Sequence, residues 1–124
     1  MPRAAPSILV ADDDPAMRRW LVIVLTAVGG HIRAVSDGYQ VGTVVRQEEI
    51  DIVVSDDRMP MQSGLEVLTS IRGAGIDVPF LLITAFGGSD VRAAAAKLGA
   101  EVLDKPFAAT ELLCRVRRMC GLPD

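Results

Sequence analysis

Three carboxylates, a hydroxyl and an ammonium stand at the ends of successive apolar runs in this chain. Asp12-Asp13 closes the first run, Asp56 a second, Thr84 a third and Lys105 a fourth. In an alternating α/β chain, residues just past the ends of parallel strands gather along one edge of the sheet. These side chains are therefore predicted to share one small pocket. Carboxylates crowded together repel one another unless a cation sits among them. The chemistry on offer is a divalent-metal site beside a reactive aspartate.

Charge supports the same scheme. Asp12, Asp13 and Asp56 sum to −3 when ionised, and a divalent cation with Lys105 restores +3. The empty site is expected to be electrostatically strained and the metal-filled site roughly neutral. Each residue also has a plainer use. Asp14 followed by Pro15 reads as a helix cap with proline at the first helical position. Asp12-Asp13 can likewise be read as acids before a helix start, Asp56-Asp57 as solvated loop charges, Thr84 as a strand-end residue and Lys105 as a surface lysine before proline. All of them falling at successive strand ends is what favours the pocket.

The elements that must position these residues can be followed along the chain. Ile8 to Ala11 is a short continuous apolar run, as a parallel strand covered on both faces should be. Met17, Trp20, Leu21, Val24, Leu25 and Val28 recur at helical spacing until Gly29-Gly30. His31 to Val35 predicts a second strand, and Asp37-Gly38 turns into a helix over 39–47. Ile52 to Ser55 is a β-branched third strand, followed by a loop broken at Met59-Pro60. The third helix is predicted over 64–72, with Leu65, Leu68 and Ile71 inward. Phe80 to Thr84 is the fourth strand, and the fourth helix runs from Ser89 to Gly99 around Ala93 to Ala96. Val102-Leu103 makes the fifth strand. Leu112, Leu113, Val116 and Cys120 share a face of the last helix, and Arg115, Arg117 and Arg118 lie near its closing turns. Alternating units of this kind, joined by right-handed crossovers, predict one α/β domain with a doubly wound parallel sheet.

Bulk properties narrow the function classes. At 124 residues the chain has room for one domain with a proper core. Half of it is hydrophobic and 23% is charged, with a net charge of −3 and no basic tail, so direct nucleic-acid binding is not expected. No apolar stretch reaches membrane-spanning length, and residues 1–7 read as a loose lead, too short for a signal peptide. A cytoplasmic location is expected. Cys114 and Cys120, six apart on a helix, lie on different sides of it. They are expected to be unpaired, buried or half-buried thiols with no zinc pattern around them.

Four segments carry a family resemblance: ILVADDDP (8–15), SDDRMPMQSGLEVL (55–68), LLITA (81–85) and DKPF (104–107). Together they resemble the receiver domain of two-component response regulators, the CheY-like family. The resemblance covers 8–121, leaving 122–124 as a tail. It implies a flavodoxin-like five-stranded sheet in the order 2-1-3-4-5. It also implies a phosphoryl-accepting aspartate three residues before Met59-Pro60, which selects Asp56 over Asp57. Asp13 is implied as a direct Mg2+ ligand and Asp12 as a ligand through water, alongside Asp56 and the backbone carbonyl of Arg58. Mg2+ suits such a site because it takes few protein oxygens and keeps waters. Thr84 and Lys105 are implied to hold phosphoryl oxygens, and Lys105-Pro106 to be a cis peptide. The implied donor is a sensor histidine kinase or histidine phosphotransfer protein. Output goes to a downstream effector, and the face around the fourth helix, fifth strand and fifth helix is also one through which the chain could form a homodimer. The protein is not expected to turn over a separate substrate.

One position departs from the family pattern. Val102 stands where the family usually carries an aromatic switch residue, so the usual inward turn of a ring cannot operate. Phe86 and Arg58 occupy positions that tune dephosphorylation in the family. Phe86 offers no hydrogen bond to an attacking water, which predicts a long-lived phosphoryl group. Other readings remain at this stage. The chain could be a constitutive interaction module, or the receiver portion of a longer transcriptional or enzymatic regulator. A haloacid-dehalogenase-type hydrolase, with Asp12 and Asp14 as its acids, is opposed by Pro15 and the short chain. A flavin-binding protein is opposed by the acidic stretch after the first strand.

Overall fold

The computed structural model describes residues 5–85 and 87–123. Five strands alternate with five α-helices: β1 (Ser7–Ala11), α1 (Pro15–Leu25), β2 (His31–Val35), α2 (Gly38–Gln47), β3 (Ile52–Asp56), α3 (Gly64–Gly73), β4 (Phe80–Thr84), α4 (Ser89–Lys97), β5 (Glu101–Asp104) and α5 (Ala109–Met119). The strands form one parallel sheet in the order β2-β1-β3-β4-β5, as the resemblance implied.

Strand alternation sorts the core into two layers. Ile8, Val10, Ile52, Val54, Leu81, Ile83 and Leu103 face α1 and α5, where Leu21, Leu25, Leu112 and Val116 meet them. Leu9, Ala11, Val53, Phe80, Leu82 and Val102 face the other way, onto Val41, Val44, Val67, Leu68, Ile71 and Ala95 of α2, α3 and α4. Every residue of β3 and β4 is buried. That is why Ile52 to Val54 and Phe80 to Ile83 read as apolar runs rather than alternating ones, before each strand ends in buried polar residues of the cluster edge.

Several boundaries differ from the sequence reading for identifiable reasons. Helix α1 ends at Leu25, and its last turn tightens into a 3-10 turn over Thr26–Val28. Gly29 closes this turn at φ 85, a left-handed conformation that glycine takes without a Cβ penalty. Strand β5 extends to Glu101 and Asp104, polar ends that an apolar pattern cannot show. Arg115 and Arg118 hold Glu101, and Arg92 of α4 pairs with Asp104. Val67, not singled out in sequence, is buried on α3, while Leu65 is only partly so. Strand β1 begins at Ser7, inside the predicted lead, and Pro6 accepts a hydrogen bond from the His31 amide. Cys114 is exposed, which corrects the expectation that both thiols are at least half-buried; neither is paired. Cys114 falls on the outward side of α5, opposite Leu112 and Val116. Burial pushes the half-buried Cys120 thiol up to about 11.

Candidate phosphoryl-acceptor and metal site

Register brings the acidic residues together. Ala11 pairs with Ser55, so Asp12 and Asp56 each stand one residue past that pair. Asp56 pairs with Ile83 and Thr84 with Asp104, so β3, β4 and β5 run out nearly in step, and Lys105 follows immediately. One carboxylate oxygen from each of Asp12, Asp13 and Asp56 lies within 4.8 Å of the others. Asp12, Asp56 and Thr84 are buried and Asp13 is exposed, so the cluster opens to solvent on one side.

Asp56 is held at both oxygens. The Lys105 ammonium donates to Oδ1 at 2.7 Å, and the Arg58 amide donates to Oδ2 at 3.1 Å. The Lys105 backbone is fixed in turn, its amide donating to the Thr84 carbonyl at 2.9 Å. Lys105-Pro106 is cis, as the resemblance implied. Asp57 points elsewhere: its Oδ1 accepts from the Leu65 amide at 3.2 Å and so braces the start of α3. Of the two adjacent aspartates, only Asp56 joins the cluster.

The loop after Asp56 depends on Gly64. A Cβ there would meet the Asp56 carbonyl oxygen at 2.5 Å and a Leu82 methyl at 2.6 Å. Ser63 then opens α3 with a reciprocal capping box to Glu66, supplying partners for amides that the helix leaves open. Asp14 does the same for α1: its side chain accepts from the Ala16 amide and Pro15 follows at the first helical position. It is a cap, as its sequence context indicated. His31 is exposed at the opposite end of the sheet from the cluster, on the first residue of β2.

Asp12 carries the strongest electrostatic signature. Burial pushes its carboxyl up from 3.8 to about 6; the Asp14 amide opposes this and the nearby Asp56 charge adds to it. Its Oδ1 accepts from the Asp14 amide at 2.9 Å, whereas Oδ2 is buried with no partner. An orphaned carboxylate oxygen beside two further carboxylates is a donor set for a hard divalent cation. The residues present therefore fit Mg2+.

Comparison with known proteins shows the family. Residues 8–117 match the model of the response regulator receiver domain. The chain belongs to that family. Among curated relatives, response regulator MprA of Mycobacterium tuberculosis is 39% identical over 113 residues, covering 90% of this chain and 49% of the relative. MprA of Mycobacterium leprae is 38% identical over the same length. The chain thus spans about half the length of the curated relatives it matches. Among solved structures, the receiver domain of Francisella response regulator 1452 superposes with a TM-score of 0.87 at 26% identity, covering 94% of this chain and 97% of that one. The chemotaxis response regulator CheY4 of Vibrio cholerae gives 0.84 at 24% identity, covering 94% and 99%, and shows the shared fold.

The receiver pocket also contains a residue that sequence reasoning missed. Arg18, on α1, donates from Nη1 to the Asp12 carbonyl at 2.8 Å. The available signal was a basic residue six positions after Asp12, in the opening turns of the next helix. Phe86, expected to govern phosphoryl lifetime, lies outside the described residues. Among the described residues, no helix is long and apolar enough to cross a membrane.

Proposed function

We propose that Asp56 is the phosphoryl acceptor of this receiver, with Mg2+ held by Asp12, Asp13, Asp56 and the backbone carbonyl of Arg58. One observation carries the reading: the Asp56 carboxylate, bonded by Lys105 and Arg58, lies in a cluster whose Asp12 partner offers an orphaned buried oxygen. A carboxylate oxygen of Asp56 attacks the phosphorus of a phosphohistidine. The P–N bond breaks, the imidazole nitrogen leaves, and an acyl phosphate remains. Mg2+ held by Asp12, Asp13 and Asp56 would supply charge neutralisation for the phosphoryl oxygens. Lys105 exchanges its present bond to Asp56 for one to a phosphoryl oxygen, and Thr84 donates to another.

The donor in this reading is a sensor histidine kinase or a histidine phosphotransfer protein, and the receiver turns over no separate substrate. Output passes to a downstream effector through the face of α4, β5 and α5, which is also where homodimerisation would occur. That face carries the Glu101–Arg115–Arg118 and Asp104–Arg92 ion pairs, charged groups able to exchange partners when the pocket changes. The reading places the receiver unit over 8–121 and the protein in the cytoplasm.

Intact mass after incubation with a small phosphodonor and Mg2+ tests the acceptor. Gain of one phosphoryl group by the wild type and none by Asp56→Asn is the expected result. No gain by a wild type that binds Mg2+ would replace this reading with a constitutive interaction module.

A further inference from the structure

We propose that Arg18 is a positioning residue for the divalent-cation site, fixing Asp12 so that one carboxylate oxygen faces the cluster. The proposal rests on the metal reading above.

The hydrogen-bonding groups of Asp12 are committed almost completely. Its amide donates to the Val35 carbonyl of β2 at 3.2 Å. Its carbonyl accepts from Arg18 Nη1 at 2.8 Å. Its Oδ1 accepts from the Asp14 amide at 2.9 Å. Oδ2 alone is left, buried and without a partner. The segment carrying Asp12 and Asp13 is therefore held from β2 on one side and from α1 on the other. Arg18 is itself anchored, because its amide bonds to the Asp14 carbonyl at 2.9 Å in the first turn of the helix. Its half-buried side chain reaches back over the β1–α1 turn.

Sign separates this role from simple electrostatics. A guanidinium beside a divalent-cation site repels the cation, so charge alone predicts that removing Arg18 tightens Mg2+ binding. Positioning predicts the reverse, because a ligand free to turn must be ordered when the metal binds. Groups that orient metal ligands typically contribute about tenfold or more to affinity.

Calorimetric titration of Mg2+ into the full chain, with no phosphodonor present, tests the proposal. Arg18→Met keeps an apolar stem and loses the donor. Arg18→Lys keeps the charge and a donor of nearly the same reach. The expected result is Mg2+ affinity lowered about tenfold or more in Arg18→Met, with most of the loss recovered in Arg18→Lys. Thermal unfolding of the metal-free proteins shows whether each variant folds, and Arg18→Gln, neutral and too short to reach the carbonyl, takes the place of Met if Met does not fold. Unchanged or tighter binding in Arg18→Met, or Lys no better than Met, overturns the role of Arg18. Asp13→Asn in the same titration reports on the metal site itself. If it binds Mg2+ like the wild type, the metal reading fails as well.

Discussion

The Lys105 ammonium lies 2.7 Å from Oδ1 of Asp56, although 49 residues of chain separate the two. The Asp56 side chain is 8% exposed and that of Lys105 is 32% exposed, so water screens one end of the pair only. Lys105→Met should lower the stability of the metal-free protein by about 1 kcal/mol, a value discounted for solvent around the ammonium. Mg2+ should shrink that difference by supplying another cation to Asp56. Urea unfolding of both proteins with and without Mg2+ measures it, and a difference that Mg2+ leaves untouched would contradict the shared-charge picture.

Asp57 should be dispensable for chemistry but not for folding. Asp57→Ala removes the acceptor of the Leu65 amide at the start of α3. The expected outcome is phosphoryl uptake still located at residue 56, with stability lowered by about 1 kcal/mol. Peptide mapping of the phosphoprotein, together with denaturant unfolding, checks both halves.

Gly64→Ala should be among the more damaging small substitutions in the chain. The added methyl meets the Asp56 carbonyl oxygen at 2.5 Å, and backbone cannot yield as a side chain can. A cost of about 2 kcal/mol is expected, with a larger fall in phosphorylation rate than in secondary-structure content, because the displaced atoms belong to Asp56, the proposed acceptor. Circular dichroism and phosphorylation kinetics on the same sample distinguish the two effects.

Asp12 makes the metal-free protein respond to pH in a direction opposite to most carboxylates. Its folded value of about 6 lies above the ordinary 3.8. The folded state therefore binds a proton that the unfolded state has lost. This contribution is fully present below about pH 4 and is lost as pH rises through 6. The shift from 3.8 to about 6 corresponds to ~3 kcal/mol. Asp12→Asn should flatten that part of the pH–stability curve. Mg2+ competes with the same proton, so its affinity should fall by about tenfold per pH unit below 6. Mg2+ titrations between pH 5 and 7.5 that show no such fall would contradict the role of Asp12.

A long phosphoryl lifetime is predicted from the sequence at Phe86, an apolar residue two positions after Thr84 whose side chain has no hydrogen-bonding group for an attacking water. Slow first-order loss of the phosphoryl group is expected, and substitution of Phe86 by a polar residue should speed it. Rapid loss from the purified wild-type phosphoprotein, stopped by chelating Mg2+, would remove this prediction.

The sequence by itself determined the element order, because strands covered on both faces, such as β3 and β4, carry apolar runs (Ile52 to Val54, Phe80 to Ile83) and their helices must carry a one-sided apolar pattern. It also placed Asp12, Asp13, Asp56, Thr84 and Lys105 at strand ends, since parallel strands joined by helices all point the same way. The family resemblance, applied at Met59-Pro60, selected Asp56, while the different direction of Asp57 is visible only through its bond to the Leu65 amide. The polar ends of β5 escaped an apolar pattern because Arg92, Arg115 and Arg118 hold them from elements far away in sequence. The tertiary structure alone decided which atoms meet. Strand register set the 4.8 Å carboxylate cluster, and the close approach of the β3–α3 loop made residue 64 a glycine position. The committed bonds around Asp12 left Oδ2 as its one unpartnered oxygen. Local pattern reports what each residue needs from its neighbours in the chain; distances between strand ends are fixed only when register and packing are satisfied together.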